Sequence, residues 1–240
     1  MTDFLLIRHG ETDWNRELRF QGQIDVPLND IGLLQAQRLE QRFEQQLKTW
    51  QAEQRQFTRV ISSDLQRAQQ TAEPVARVLG HECVIVPGLR EQCFGDFEGM
   101  RVPEIKAQFP SAWQRWLDFD ADYAVQGAES TRVFHDRVIA ALGQLADQYP
   151  DERVVVVTHG GVLDMVWRNA QALSLHGPRV CEIPNAGVNQ VAWRDGGLHI
   201  QVWADAAHLA DLPDQPVYSQ KRLLEARERG VAQTHANGVA

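Results

Sequence analysis

The sequence predicts an α/β fold: three layers, α/β/α, around a mostly parallel central sheet, with a small helical cap over the site. Three observations carry this. Short apolar runs at residues 4–7, 57–61 and 154–157 have the composition of strands buried on both faces of a sheet. Segments with apolar residues at helical spacing separate them, giving a strand, helix, strand alternation. The first and last runs lead directly into Arg8-His9-Gly10 and Thr158-His159-Gly160-Gly161, and in open α/β sheets sites gather at the C-terminal ends of strands.

In chain order, the first strand ends at Gly10 and opens a loop through Asn15, Arg19 and Gln23 to Leu28. Asn29 can cap a helix from about Asp30, with Ala36, Leu39, Phe43, Leu47 and Trp50 as its inner stripe. After the strand at 57–61, Ser63 or Asp64 can cap the next helix. Arg67 falls in its first turn, Leu65, Ala68, Ala72, Val75 and Leu79 form its buried side, and Pro74 is expected to kink it. A short strand at 82–86 closes at Pro87-Gly88, and Leu89-Arg90-Glu91 enters a loop rich in glycine and aromatics. Phe109, Trp113, Trp116, Phe119 and Tyr123 read as short cap helices holding a small satellite core. A long helix at 129–147 precedes the strand that leads to His159. Gly160-Gly161 opens another helix, whose N-terminus would favour an anion. Segments 189–193 and 198–203, joined by Asp195-Gly196-Gly197, read as a hairpin added to the sheet; the polar residues after Asp205 read as a packed or frayed tail, in which 221–227 can form a helix.

The 240 residues suit one domain, 1–204, with the cap inserted near 95–128, followed by a C-terminal extension, 205–240. The first residues lack a basic region and a cleavage site, and no apolar run nears the roughly 20 residues that span a bilayer, so a soluble, cytoplasmic protein with no membrane partner is expected. The net charge of −8 argues against nucleic-acid binding. Three cysteines without metal-ligand spacing read as reduced thiols. The oligomeric state stays open, a homodimer included.

Two strand ends thus bring Arg8, His9 and His159 together, and a third adds Arg67. Two guanidinium charges repel a metal ion and attract a phosphate dianion, so neither a metal nor a cofactor is expected. A neutral imidazole nitrogen can attack phosphorus if the other nitrogen is held by a backbone carbonyl, and the product is a phosphohistidine that water hydrolyses. The ordered motifs RHGETDWN, PLNDIG, SSDLQRAQQTA, LRE with FGDFEG, and VVVVTHGG resemble the histidine phosphatase superfamily, from Phe4 to about Trp203. The resemblance implies that His9 is the nucleophile, that Arg8, Arg67 and His159 clamp the phosphoryl group, that Asn15 contacts it, and that Glu91 is the proton donor, with Glu98 as its rival. Gln21, Gly22 and Gly160 complete the expected phosphate-binding set; Glu11 and Thr12 are read as shaping the loop.

The family's phosphoglycerate mutases carry a longer insertion with paired arginines for a substrate carboxylate. Here the interval from Glu91 to Glu129 offers only Arg101, Lys106 and Arg115. The reading is therefore a metal-independent phosphatase acting on a small phosphorylated metabolite. A cofactor-dependent mutase is the alternative, and a catalytically silent phosphoester-binding regulator a more distant one.

Overall fold

The computed structural model describes residues 1–215, 220 and 223–225. Its strands β1 (Thr2–Arg8), β2 (Arg59–Ser62), β3 (Cys83–Ile85), β4 (Arg153–Thr158), β5 (Val188–Arg194) and β6 (Gly197–Asp205) form one sheet in the order β3-β2-β4-β1-β5-β6. The first four in that order are parallel, β5 lies antiparallel to β1, and β6 antiparallel to β5. The connections carry α1 (Asp13–Arg16), α2 (Asp30–Ala52), α3 (Gln66–Leu79), α4 (Val102–Gln108), α5 (Pro110–Trp116), α6 (Thr131–Gln148) and α7 (Gly160–Ala170).

The continuous apolar runs of β1 and β4 are explained by cover on both faces. Phe4, Leu6, Val154 and Val156 pack with residues of α6 and α7, whereas Leu5, Ile7, Val155 and Val157 pack with residues of α2 and α3. That is the expected α/β/α sandwich. The cap has its own small core of Phe20, Phe97, Ile105, Trp113, Leu117 and Val125, so its aromatic residues are packing groups. No helix among the described residues is long and apolar enough to cross a membrane.

Helix starts follow from which polar groups are free to cap. Asn29 is, and its Oδ1 accepts from Gly32 N at 2.8 Å to begin α2. Ser63 and Asp64, expected to cap α3, are committed elsewhere: the Ser63 hydroxyl pairs with His159, and the Asp64 carboxylate is forked by Arg90. The helix starts later, with Leu65 at the cap position and no side-chain cap, and Pro74 lies inside it without ending it. Likewise α6 begins at Thr131 rather than near Glu129, because Arg137 and Cys93 N hold the Glu129 carboxylate and Ser130 caps the helix. The stretch read as loop after Gly10 contains α1, stabilised by a capping box in which Thr12 and Asn15 bond reciprocally. Positive φ at Asp195 and Gly196 closes the expected β5–β6 hairpin. The segment 221–227, which can form a helix, lies largely outside the described residues; 223–225 are helical.

Candidate active site

The parallel register between β1 and β4 pairs Arg8 with Thr158, so the next residues, His9 and His159, lie side by side with ring centroids 5.2 Å apart. Both are almost wholly buried. His9 Nδ1 is 2.7 Å from Gly10 O. A carbonyl only accepts, so Nδ1 carries the proton and the lone pair is left on Nε2. His159 Nε2 meets Ser63 Oγ at 2.9 Å, while Ser63 Oγ also accepts from Leu65 N. A serine hydroxyl that donates to Nε2 leaves the proton on Nδ1, and His159 Nδ1 is buried without a partner among the described residues.

Arg67 reaches the histidines from the first turn of α3, pinned by Nη1 to Ile24 O at 2.9 Å and by Nη2 to Gly22 O at 2.8 Å. Gly22 is therefore a backbone anchor for Arg67. It sits at φ +53° with Glu98 against it, so a Cβ would meet Glu98 Oε1 at 1.9 Å. Arg8 Nη1 bonds Ile183 O at 2.6 Å. Like His159 Nδ1, Arg8 Nε and Arg67 Nε are buried donors without partners among the described residues. Each orphaned donor costs about 1–3 kcal/mol until an acceptor such as an oxyanion takes it.

Charge follows the same logic. Burial, then the Arg67 and Arg8 guanidiniums, holds His9 well below the ordinary histidine range. For His159, burial comes first, followed by Arg67, His9 and Arg8. Burial lowers Arg8 and Arg67 to about 10, which leaves both ionised at neutral pH. The site is thus two neutral imidazoles between two cations.

Glu91 is aimed by two backbone N–H groups, Oε1 accepting from Gln92 N at 2.8 Å and Oε2 from Gly161 N at 2.9 Å. The start of α7, expected to face an anion through Gly160, thus also holds the Glu91 carboxylate. A Cβ on Gly161 would meet Glu91 Oε1 at 2.0 Å, and one on Gly160 would lie 3.3 Å from Arg8 Nε, so both glycines give space to charged side chains. The rival acid, Glu98, is occupied with Gln23 N and Phe94 N. Asn15 commits its Oδ1 to Thr12 and Asn185, so an anion would meet its NH2 group. Gln21 is buried and accepts from Thr12 Oγ1 at 3.0 Å. Glu11 is buried under a fork from Arg16 and Thr12 caps α1, the loop-shaping parts expected of them.

Three positioning groups escaped sequence reasoning. Asn185 Nδ2 donates to His9 O at 3.0 Å and Gly10 O at 3.3 Å, clamping the first strand's end from the turn before β5, and no periodicity marks it. Arg137 donates to the carbonyls of Gly88, Arg90 and Glu91 and so fixes the loop that carries Glu91. Its signal was present: residue 137 lies three after Phe134 and four before Ala141, on the inner face of α6. Arg179 lies close to Gly160 and Arg8. As a metal site, the candidate the described residues offer is Asp120, Asp122 and His176, in the cap and after α7, with Asp122 already forked by Arg132.

The buried neutral histidines predict acid sensitivity. Their folded-state pKa values lie below the unfolded one, near 6.5, so the stability they contribute is complete above about pH 6.5 and is lost as pH falls from there toward the folded pKa values. The slope approaches about 1.4 kcal/mol per pH unit for each histidine. His208, lowered to about 4 by burial and Arg42, acts in the same sense. Denaturant midpoints measured without phosphate from pH 8 to 5 should show this loss, and His9→Ala should flatten it by one proton's worth.

A family profile for the histidine phosphatase superfamily (branch 1) matches residues 4–206. The phosphoglycerate mutase-like protein 4 of Arabidopsis thaliana is 36% identical over 212 residues, covering 87% of either chain. A metal-independent phosphoserine phosphatase of the same plant is 36% identical over 214 residues, 88% of this chain and 85% of its own. Among solved structures, a mycobacterial glucosyl-3-phosphoglycerate phosphatase in complex with VO3 superposes with a TM-score of 0.71 at 27% identity, covering 85% of this chain and 99% of that one. With a family profile spanning nearly the whole described fold and relatives this similar along most of their length, the chain belongs to the histidine phosphatase superfamily.

Proposed function

We propose that this chain is a metal-independent phosphatase that hydrolyses small phosphomonoesters through a phosphohistidine at His9. One observation carries the reading: His9 Nε2 holds its lone pair, fixed by the bond from Nδ1 to Gly10 O, in a site with three buried donors that have no partner among the described residues. In the first step Nε2 attacks phosphorus and the ester P–O bond breaks. Arg8, Arg67 and His159 Nδ1–H stabilise the charge on the equatorial oxygens, and Glu91 gives a proton to the departing oxygen. In the second step the Glu91 carboxylate takes a proton from water as that water attacks phosphorus, and inorganic phosphate leaves His9. The two arginines supply the positive charge that a metal ion supplies in other phosphoryl-transfer sites. The relative named a metal-independent phosphoserine phosphatase and the neighbour named in complex with VO3 support this reading.

Hydrolysis is favoured over transfer back to a retained sugar acid by where the cap cations are engaged. Arg101 is forked on Glu104, Arg115 lies over the Tyr123 ring at 4.7 Å, and Lys106 lies 6.0 Å from the Trp113 ring centroid. The direct test is phosphate release from an aryl phosphate and a panel of alkyl phosphomonoesters, with and without exhaustive chelation, beside an assay interconverting the two phosphoglycerates. Release that survives chelation is expected. Interconversion faster than release would favour the mutase, and activity restored only by added metal would contradict the cationic clamp.

The role of Glu91 predicts a dependence on the leaving group. Alkoxides need a proton to depart, whereas phenolates with electron-withdrawing rings hardly do. Glu91→Gln should therefore slow phosphorylation of the enzyme by about 10²–10⁴-fold for alkyl phosphates and far less for such aryl phosphates, read in single turnovers. An equal loss for both would remove Glu91 from the role.

A further inference from the structure

We infer that Gln215 is a positioning residue for His9, acting through Asn185; the inference rests on the phosphatase reading above and adds to it a group outside the stretch 4–206 that the family profile matches. The turn of residues 183–187, just before β5, forms one wall of the site. Ile183 O accepts from Arg8 Nη1 and Ala186 N donates to Arg8 O at 3.0 Å. The Asn185 side chain spreads its Nδ2 hydrogens over three acceptors, His9 O at 3.0 Å, Gly10 O at 3.3 Å and Asn15 Oδ1 at 3.3 Å. Gly10 O is also the carbonyl that holds the His9 Nδ1 proton. Asn185 therefore braces the acceptor that decides which nitrogen of His9 keeps its lone pair.

The turn is not relaxed. Ala186 sits at φ +54°, in the left-handed region that a residue with a Cβ enters at a cost, and such a backbone persists where its surroundings enforce it. Gln215 supplies part of that enforcement from the far side. Its Oε1 accepts from Asn185 N at 2.6 Å and its Nε2 donates to Asn185 O at 3.0 Å, so one amide takes both main-chain polar groups of a buried residue. The pair of bonds also fixes the amide, since a flip would set N–H against N–H and oxygen against oxygen. The chain after β6 delivers Gln215 to this place: Leu209 and Leu212 join the core that contains Ala186 and Val188, and Arg38 forks Asp211. Gln220, farther along, bonds a different residue, its Oε1 accepting from Arg179 N at 2.7 Å.

The test compares the wild type with Gln215→Ala, Gln215→Glu, Gln220→Ala, Asn185→Ala and the double variant Asn185→Ala/Gln215→Ala, each shown to be folded by its unfolding midpoint. In single turnovers of an aryl phosphate, Gln215→Ala should slow phosphorylation of the enzyme at saturating substrate about 10-fold, and shift the half-saturating concentration less than about threefold, because the nucleophile is misplaced while the arginines are not. Gln215→Glu keeps the acceptor but turns a carboxylate oxygen toward Asn185 O, and should be no faster than Gln215→Ala. Gln220→Ala should stay within about twofold of the wild type. Once Asn185 is replaced, Gln215→Ala should cost less than about threefold more, as for two residues acting in one chain of bonds. Nitrogen-15 spectra of the His9 ring should show the proton on Nδ1 in the wild type and both tautomers in Gln215→Ala. Wild-type phosphorylation by Gln215→Ala, a loss confined to the half-saturating concentration, an equal loss from Gln220→Ala, or an undiminished loss in the Asn185→Ala background would overturn the inference and leave the phosphatase reading intact. A wild type that hydrolyses no phosphomonoester removes that reading, and the ring spectra then decide: an unchanged tautomer in Gln215→Ala overturns the inference as well.

Discussion

The site depends first on the parallel pairing of β1 with β4. Because Arg8 is opposite Thr158, the residue after each strand is a histidine and the two rings lie side by side. Neither position is held by the sheet alone. His9 N still bonds Thr158 O, Asn185 clamps the carbonyls of His9 and Gly10, and Gly10 N donates to Thr71 in α3. The chain then turns past α2 at a contact of two backbones: a Cβ on Gly32 would lie 2.0 Å from Glu11 O, and one on Gly10 2.7 Å from Gly32 O. The glycines of RHG and DIG are therefore spacing devices that let the loop after His9 lie directly on a helix.

That rigidity supports an electrostatically costly arrangement. Two guanidiniums and two imidazoles are removed from water together, with three donors left without partners among the described residues. Burial keeps the imidazoles neutral and leaves the arginines charged, since even a lowering to about 10 keeps a guanidinium protonated at neutral pH. This division of charge is what the proposed attack by His9 requires. A protonated His9 could not attack, and uncharged clamps could not hold a dianion. The cost is borne by the apolar cores on either side of the sheet and is reduced whenever an oxyanion occupies the site.

Much of this was legible in the sequence because each signal was local. Continuous apolar runs marked strands covered on both faces, helical stripes marked α2, α3 and α6, and strand ends rich in arginine and histidine marked the site. What could not be read was competition for polar groups between distant parts of the chain. Ser63 and Asp64 had the composition of caps, but His159 and Arg90 claim them, which moved the start of α3. Asn185 and Arg179 come from the irregular chain between α7 and β5, where no period relates sequence to direction. Arg137 was readable in principle as a cation on a buried helix face, but the carbonyls it serves belong to a loop nearly fifty residues earlier.

The central claim is that phosphorus passes through the unprotonated nitrogen of His9, and chemical trapping tests it most directly. A brief incubation with a radiolabelled phosphomonoester, quenched during turnover, should leave label on the peptide containing His9 that is stable in base and released by acid, and His9→Ala should carry none. Label that survives acid, label on another residue, or full turnover by His9→Ala would contradict the account.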